Sequence, residues 1–258
     1  MNCKICLSLT SRQFQAEILN KYIVRYYLCP NCSFLQTENP YWLEEAYLQP
    51  INDSDTGILY RNLWLRNIAS TIIFFIFEQN KIFLDFGGGY GVFVRMMRDS
   101  GFNFYWLDKH TENLFAKGFE FSNGSEKIEM LTCFETFEHF DEPINDLEKV
   151  LNYSKNILFS TELIPEPVPQ PDDWWYYGLE HGQHISFFQR RTFEFLAKKY
   201  EIYFYSNGKN IHLLSEKKIS PFMFNFFVKT SNYFSPFIRK RMQPLTWKDW
   251  ENKLGKNA

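Results

Sequence analysis

A chain of 258 residues with a formal net charge of −2 has room for one substantial core plus a small appendage, and lacks the excess of cations that non-specific nucleic-acid binding requires. Its 28 Phe and 15 Tyr point to a core built largely from rings. No apolar stretch follows Met1-Asn2-Cys3-Lys4 and the most apolar run, Ile68 to Phe77, is far below the roughly 18 residues a membrane span needs, so a cytoplasmic protein without a transmembrane segment is expected.

The chain opens on two paired knuckles, Cys3-x-x-Cys6 and Cys29-x-x-Cys32. In a reducing compartment, four thiols at this spacing favour a metal over disulfides, and zinc is the expected ion. Four thiolates make a closed tetrahedral site with no position left for water, so the role expected is structural. Pro30 and Asn31 suit the tight turn inside the second knuckle. Residues 1–40 are therefore read as a zinc ribbon. Residues 41–80 follow as a helical linker holding a buried helix over Ile68–Phe77, with Arg61, Arg66 and Asn67 facing water or a cleft. The fifth cysteine, Cys133, reads as a small core residue.

The apolar run Ile82-Phe83-Leu84 breaks into Asp85-Phe86-Gly87-Gly88-Gly89-Tyr90-Gly91. Gly87 and Gly89 permit left-handed torsions and close approach of a ligand, while Gly91 lets the next helix pack closely on the strand. That helix is expected over Val92–Arg98, with Gly101 stopping it. A dinucleotide turn would need a third glycine at 92, which is Val92. The stretch instead matches Asp-x-Gly-x-Gly-x-Gly and resembles the first motif of the class I S-adenosylmethionine-dependent methyltransferases. That resemblance implies that Asp85 helps hold the methionine end of the cofactor.

A second strand, Phe104 to Leu107, ends in Asp108, about 20 residues after the turn, where an acid accepts hydrogen bonds from ribose hydroxyls. Strands over Ile128–Phe134 and Asn156–Thr161 follow. Between them, Glu135-Thr136-Phe137-Glu138-His139 resembles the segment that class I methyltransferases carry after their fourth strand. The expected fold is thus α/β, a Rossmann-like class I methyltransferase sheet with helices on both faces over residues 81–215, preceded by the small zinc ribbon.

A ribbon ahead of such a domain is similar to the arrangement in sugar C-methyltransferases acting on nucleotide-linked deoxysugars. The proline-rich Pro165–Pro171 must form an extended surface loop. It leads to Trp174-Trp175-Tyr176-Tyr177, then to Glu180-His181-Gly182-Gln183-His184-Ile185-Ser186-Phe187-Phe188. In the sugar enzymes a Glu-His pair stands here, and its histidine is the proposed base. The resemblance makes His184 the first candidate and His181 the second, with Gln183 in the glutamate's place. A helix over Arg191–Tyr200 and strands over Glu201–Tyr205 and Ile211–Leu214 complete the domain.

Glu135-x-x-Glu138-His139 also resembles the run with which quinone-precursor and small-RNA O-methyltransferases hold a divalent ion, joined there by a later histidine. Glu138 and His139 therefore stand beside the two histidines as catalytic candidates. The function expected is transfer of a methyl group from S-adenosylmethionine to a small molecule, such as a sugar or glycan precursor. A non-catalytic partner of glycan-building enzymes and a metal-assisted O-methyltransferase are the alternatives, and RNA methylation a third that the charge disfavours.

From residue 216 on, strand periodicity is lost and Phe alternates with Pro221, Pro236 and Pro244, which predicts two short amphipathic helices. Arg239-Lys240-Arg241 beside Phe234 and Phe237 is read as the solvated edge of a helix packed on the core, in preference to a contact with an anionic membrane. Trp247 and Trp250 are expected to anchor the end of the chain.

Overall fold

The structure is a computed structural model that describes residues 1–49, 55–122 and 127–255. The amino-terminal strands β1 (Ser11–Ile18), β2 (Tyr22–Leu28) and β3 (Leu35–Thr37) form an antiparallel meander, followed by the single-turn α1 (Leu43–Ala46) and the long α2 (Ile58–Ile76). The principal sheet begins with β4 (Ile82–Phe86), α3 (Val92–Asp99), β5 (Asn103–Leu107) and β6 (Ile128–Phe134). It continues through α4 (Pro143–Tyr153), β7 (Ile157–Ser160), the two-residue β8 (Ser186–Phe187), α5 (Arg190–Lys199), β9 (Tyr203–Ser206) and β10 (Ile211–Ser215). Two further helices, α6 (Pro221–Arg241) and α7 (Thr246–Lys253), close the described chain.

The principal sheet has the order β5-β4-β6-β7-β10-β9, parallel from β5 to β7 and antiparallel at β10 and β9. Both faces are covered, as buried parallel strands require. Successive side chains alternate between two cores. Phe83, Met130, Leu158 and Leu213 join α2, α3 and α6 on one side, while Leu84, Leu131, Phe159 and Leu214 join α4 and α5 on the other. β4 lies between β5 and β6, so the chain leaves it at the point where strand order reverses, the place where open α/β sheets bind ligands beyond their carboxyl ends.

The amino-terminal sheet is not built from the first forty residues alone. β8, from the histidine-bearing stretch, pairs with β3 through Leu35–Phe187 and Gln36–Ser186 and gives the order β1-β2-β3-β8. Trp42, Tyr176, Tyr177, Ile185 and Phe187 fill one core with Tyr26 and Leu35. The cysteine module and the histidine loop are thereby locked together by main-chain pairing and ring packing.

The tail departs from the expectation of two short helices. α6 runs for 21 residues, because Pro221 sits at its first turn, where no N–H is needed, and Pro236 lies on an exposed face near its end. Trp247 and Trp250 do not anchor the terminus: Trp247 is 73% exposed and Trp250 48%. The anchor is Asp249, between them on the inward face of α7, whose carboxylate accepts from Arg98 Nε and Nη2 at 2.8 and 2.7 Å and pairs with Arg95 at 2.9 Å. Burial alone would raise the Asp249 carboxyl, but Arg98 and then Arg95 pull it below its ordinary value. Arg98 is itself buried, stacked 3.7 Å from the Phe119 ring centroid and donating to Asn103 and to the Phe104 carbonyl. Of the polar residues expected to face water or the cleft, Arg61 lines the cleft and pairs with Asp55, whereas Asn67 bonds Asn232 and Ser235 on α6. Cys133 is fully buried in the core, as expected.

Candidate active site

A cleft of about 1400 Å³ opens at the carboxyl ends of β4, β5 and β6. It is lined by Asp85, Gly87, Gly88, Gly89, Asp108, Thr111, Glu135, His139, His181 and His184, among others. Four of the chain's five histidines, including His110, reach it. The fifth, His212, is buried and bonded to Ser206 and the Thr161 carbonyl.

The glycine turn is held from below by side chains that its pattern does not reveal. Trp106, on β5, donates its indole N–H to the Gly89 carbonyl at 2.8 Å. A Cβ on Gly88 would lie 2.6 Å from Trp106 Cδ1 and 3.0 Å from Asp85 Oδ2, so this position, which the motif leaves unspecified, tolerates no side chain. Gly91, with φ of +82°, opens α3 in the left-handed region, and it is crowded by Asn113 and Ala116 rather than by the strand.

The two acids flank this turn. Asp108 accepts the Gly89 N–H on Oδ2 at 2.9 Å and the His110 and Thr111 N–H groups on Oδ1 at 2.7 and 2.9 Å. Its carboxylate is thus fixed in orientation while Oδ2 keeps room for one more hydrogen bond. Next to it, Thr111 Oγ1 is buried without a hydrogen-bond partner among the described residues. Asp85 is 3% exposed and accepts one side-chain bond, from Thr132 Oγ1 at 2.6 Å. Burial lifts its pKa to about 7 despite that bond. An ammonium group would return this acid to its charged form. A nucleoside carrying an amino-acid end fits the donor set: a buried acid short of a cation, a turn without side chains, and an oriented carboxylate beside an unpartnered hydroxyl.

On the facing wall lies an aromatic and histidine cluster. His184 Nδ1 is 2.7 Å from the Tyr176 carbonyl, an acceptor only, so Nδ1 carries the proton and Nε2 keeps its lone pair. His181 has the opposite arrangement. Its Nδ1 accepts the Gln183 N–H at 3.1 Å, which places the proton on Nε2. Burial, then the neighbouring His139 and His181, push His184 well below the ordinary histidine value, so it stays neutral. His139 is lowered to about 3 by burial and shares a 3.0 Å contact between Nδ1 and the Tyr47 hydroxyl. Gln183 is buried and donates its amide to the Ala46 and Gln49 carbonyls at 2.8 and 3.0 Å, a clasp on the end of α1 that a glutamate could not make.

Glu138 is fully buried; no well-aligned hydrogen bond closes on either carboxylate oxygen among the described residues, although the Tyr176 and Thr161 hydroxyls stand near enough to favour its charged form. Burial, reinforced by Glu135, raises it to about 8. Ligand atoms of Glu138, His139 and His184 lie within 4.8 Å of one another. Glu135 stands outside this trio, taking a hydrogen bond from the Ser160 hydroxyl. The structure therefore gathers His139, His181 and His184 along the cleft that Asp85 and Asp108 also line, while Glu138 is buried beside the histidines and outside the lining.

The four amino-terminal cysteines also converge, away from the cleft. Cys3 and Cys32 Sγ are 3.5 Å apart, Cys6 and Cys29 3.4 Å, and all four sulfurs lie within 4.8 Å of one another. The knuckles repeat one geometry: Leu7 and Ser33, each four residues after a cysteine, donate to the Cys3 and Cys29 carbonyls and take φ near +60°. Ile5 N–H points at Cys3 Sγ at 3.4 Å. Four free thiols in a compact, almost wholly buried group fit a closed tetrahedral thiolate site.

Fold and cleft together define a class I methyltransferase architecture, with the glycine turn at the reversal of the sheet. The chain belongs to the methyltransferase-domain family, whose profile matches residues 60–203, and is an S-adenosylmethionine-dependent methyltransferase. Among solved structures, that of the plantazolicin methyltransferase BpumL with a monoazolic desmethylPZN analog and S-adenosylhomocysteine is 14% identical over 79% of this chain and 88% of that one, with a TM-score of 0.50. Human N-acetylserotonin methyltransferase in complex with S-adenosylmethionine is 15% identical over 69% and 66% of the two chains, with a TM-score of 0.41. CalO1, a methyltransferase in calicheamicin biosynthesis, is 14% identical over 67% and 61%, with a TM-score of 0.40. At these identities the likeness is one of fold. No curated protein sequence matches the chain.

Proposed function

We propose that this methyltransferase acts on a small molecule, a sugar or glycan precursor, with His184 removing the proton that the acceptor loses. The observation that carries this reading is the locked tautomer of His184, whose protonated Nδ1 is held by the Tyr176 carbonyl and whose Nε2 is left unprotonated, on a residue that lines the cleft. When bound, S-adenosylmethionine supplies an activated methyl group on its sulfonium. Asp85 and Asp108 would hold its amino-acid and ribose ends. The histidine wall would orient the nucleophile, and orientation alone contributes much of the rate in such transfers.

Volume and lining support a small acceptor. A cleft of about 1400 Å³ exceeds the roughly 300–1,000 Å³ of a single ligand pocket and leaves room for two molecules side by side. Trp175, 75% exposed, would offer a flat apolar face to a sugar ring in a cleft that Glu44, Asn145 and Glu180 also line with hydrogen-bonding groups. Calorimetry with S-adenosylhomocysteine, followed by methyl transfer to a panel of nucleotide-linked sugars and phenols, tests the reading. Tight binding with turnover on the sugars is expected, whereas binding without turnover on any acceptor would favour the non-catalytic partner.

Glu138, buried with no well-aligned hydrogen bond among the described residues, favours a second reading, a divalent ion held by Glu138, His139 and His184 that lowers the pKa of an acceptor hydroxyl. Under it, Mn²⁺ raises both the melting temperature and the turnover of the wild type but not of Glu138→Gln; insensitivity to chelation eliminates it. The cysteine cluster is proposed to hold a structural zinc ion, and residues 1–40 to form the ribbon around it.

A further inference from the structure

α6 has two dissimilar faces. Phe224, Phe227, Val228, Ser231, Ser235 and Ile238 turn inward onto α2, with which it runs antiparallel: Asn67 meets Ser235 and Phe75 stacks on Phe227 at 4.8 Å. The opposite face carries Phe222, Phe226, Tyr233 and Phe237, spaced at 4, 11 and 15 residues from the first, so they fall on one stripe of a 3.6-residue helix. All four are exposed, Phe222 at 78% and Tyr233 at 83%. Lys229 and Lys240 lie in the same stripe, and Arg239 and Arg241 flank its end. The aromatic surface continues onto α2 through Phe75, which is partly exposed and 5.0 Å from Phe234, itself in ring contact with Phe226.

The charge around this stripe has one sign. From Lys217 to Lys248 the sequence contains Lys217, Lys218, Lys229, Arg239, Lys240, Arg241 and Lys248 and no acidic residue, in a chain whose net charge is −2. α2 likewise lacks acids and adds Arg66, while its Arg61 is paired with Asp55 and, next to α6, Lys217 is paired with Glu129. Among the described residues Lys229, Arg239, Lys240 and Arg241 form no ion pair. Burial, and then the charge of Arg239, lower the pKa of Arg66, so these two cations stand close enough to act on each other.

We propose that the outer face of α6 docks the protein on an anionic lipid bilayer, its rings lying at the headgroup boundary and its cations against acidic headgroups. Aromatic side chains interleaved with Lys and Arg on one helical face are the chemistry that such an interface recognises. Charge argues against a second copy of the chain as the occupant, because a two-fold contact along α6 would set Lys229 and Lys240 against the same cations. The helix lies on the surface and does not cross: no described helix is long and apolar enough to span a membrane. α2, whose Ile58, Arg61 and Asn62 line the cleft, exposes Leu59, Tyr60 and Leu63 beyond it, so docking would bring the cleft close to the lipid. The packed face assigned from the sequence and the membrane-facing surface are thus two sides of one helix.

Co-sedimentation of the full chain with vesicles tests this without reference to methyl transfer. Binding to phosphatidylcholine vesicles containing phosphatidylglycerol should be about tenfold or more tighter than to phosphatidylcholine alone, and should weaken as salt is raised. The double variant Lys240→Glu/Arg241→Glu should lose about 25-fold or more, from roughly fivefold per cation. Phe226→Ser/Tyr233→Ser should weaken binding comparably. Both variants alter exposed residues outside the cleft and should keep S-adenosylhomocysteine binding and the far-ultraviolet dichroism of the wild type. Equal binding to both vesicle types, or to neither, overturns the proposal through the wild type alone. A dimer dissolved by Phe226→Ser, or retention on RNA without vesicle binding, overturns it as well.

Discussion

The four-thiol cluster and the histidine–glutamate wall are both buried concentrations of reactive side chains, but they are finished to different degrees. In the cysteine module every sulfur has sulfur neighbours within 4.8 Å, the backbone of each knuckle is tied to the next turn, and three of the four residues are fully buried. In the wall, Glu138 is buried with no well-aligned hydrogen bond on its oxygens among the described residues, His184 spends only Nδ1 on the Tyr176 carbonyl, and the histidines line an open cleft. Closed sites of this kind stabilise; unfinished ones leave capacity for something that arrives later. Main-chain pairing of β8 with β3 joins the two, so the closed site serves as the foundation of the open one.

The largest expected effect breaks the closed side. Cys29→Ser should lose one equivalent of zinc by elemental analysis and destabilise the chain by more than about 5 kcal/mol, since zinc binding contributes about 10–16 kcal/mol in small modules. Full thermal stability without metal would contradict a structural site. At a permissive temperature the variant should still bind S-adenosylhomocysteine, because the Asp85 and Asp108 wall belongs to the principal sheet.

On the open side, His184→Ala should keep cofactor affinity and lower turnover about 10²-fold, roughly 2.7 kcal/mol in the barrier. His181→Ala should cost less, because its basic nitrogen is already occupied by the Gln183 N–H. Equal losses for the two would return His184 to a packing role.

The smallest effect sharpens the contrast through pH. Glu138 titrates near 8 in the fold and near its ordinary value of 4.5 when unfolded, so the native state binds the extra proton between those limits. Its contribution is complete below pH 4.5 and is lost as pH rises through 8. Without divalent ions, Glu138→Gln should therefore gain on the wild type progressively across this window in denaturant titrations, the gain levelling off above pH 8. A pH-independent difference would mean that Glu138 has a partner in solution.

Much of the glycine-turn side of the cleft was legible as local pattern. The glycine turn, Asp108 and the strand Ile128–Phe134 follow from short-range periodicity and turn chemistry, and the structure places them as read. Thr132 and Trp106 escaped notice because their partners, Asp85 and Gly89, lie 47 and 17 residues away on other segments. Gln183, which matched the position of a glutamate, proves to be a clasp on α1, a role visible only once Ala46 and Gln49 are brought beside it. The tail misled for a related reason: Phe occurs on both faces of α6, so its pattern could not say where the helix would be buried or that Asp249, not the tryptophans, would hold the end.

The sequence by itself determined the identity of the elements and the chemistry available to them: two thiol knuckles, a strand breaking into a side-chain-free turn, and acids at two strand ends. These depend on residues close in the chain, where torsional preference and hydrophobic period act directly. Tertiary structure alone decided which histidine keeps an unprotonated nitrogen free of the Gln183 N–H, that Glu138 is fully buried, and that the cysteine module is completed by a strand from the histidine loop. Tautomers, desolvation and sheet edges are set by atoms that only folding brings together, and no spacing along the chain encodes them.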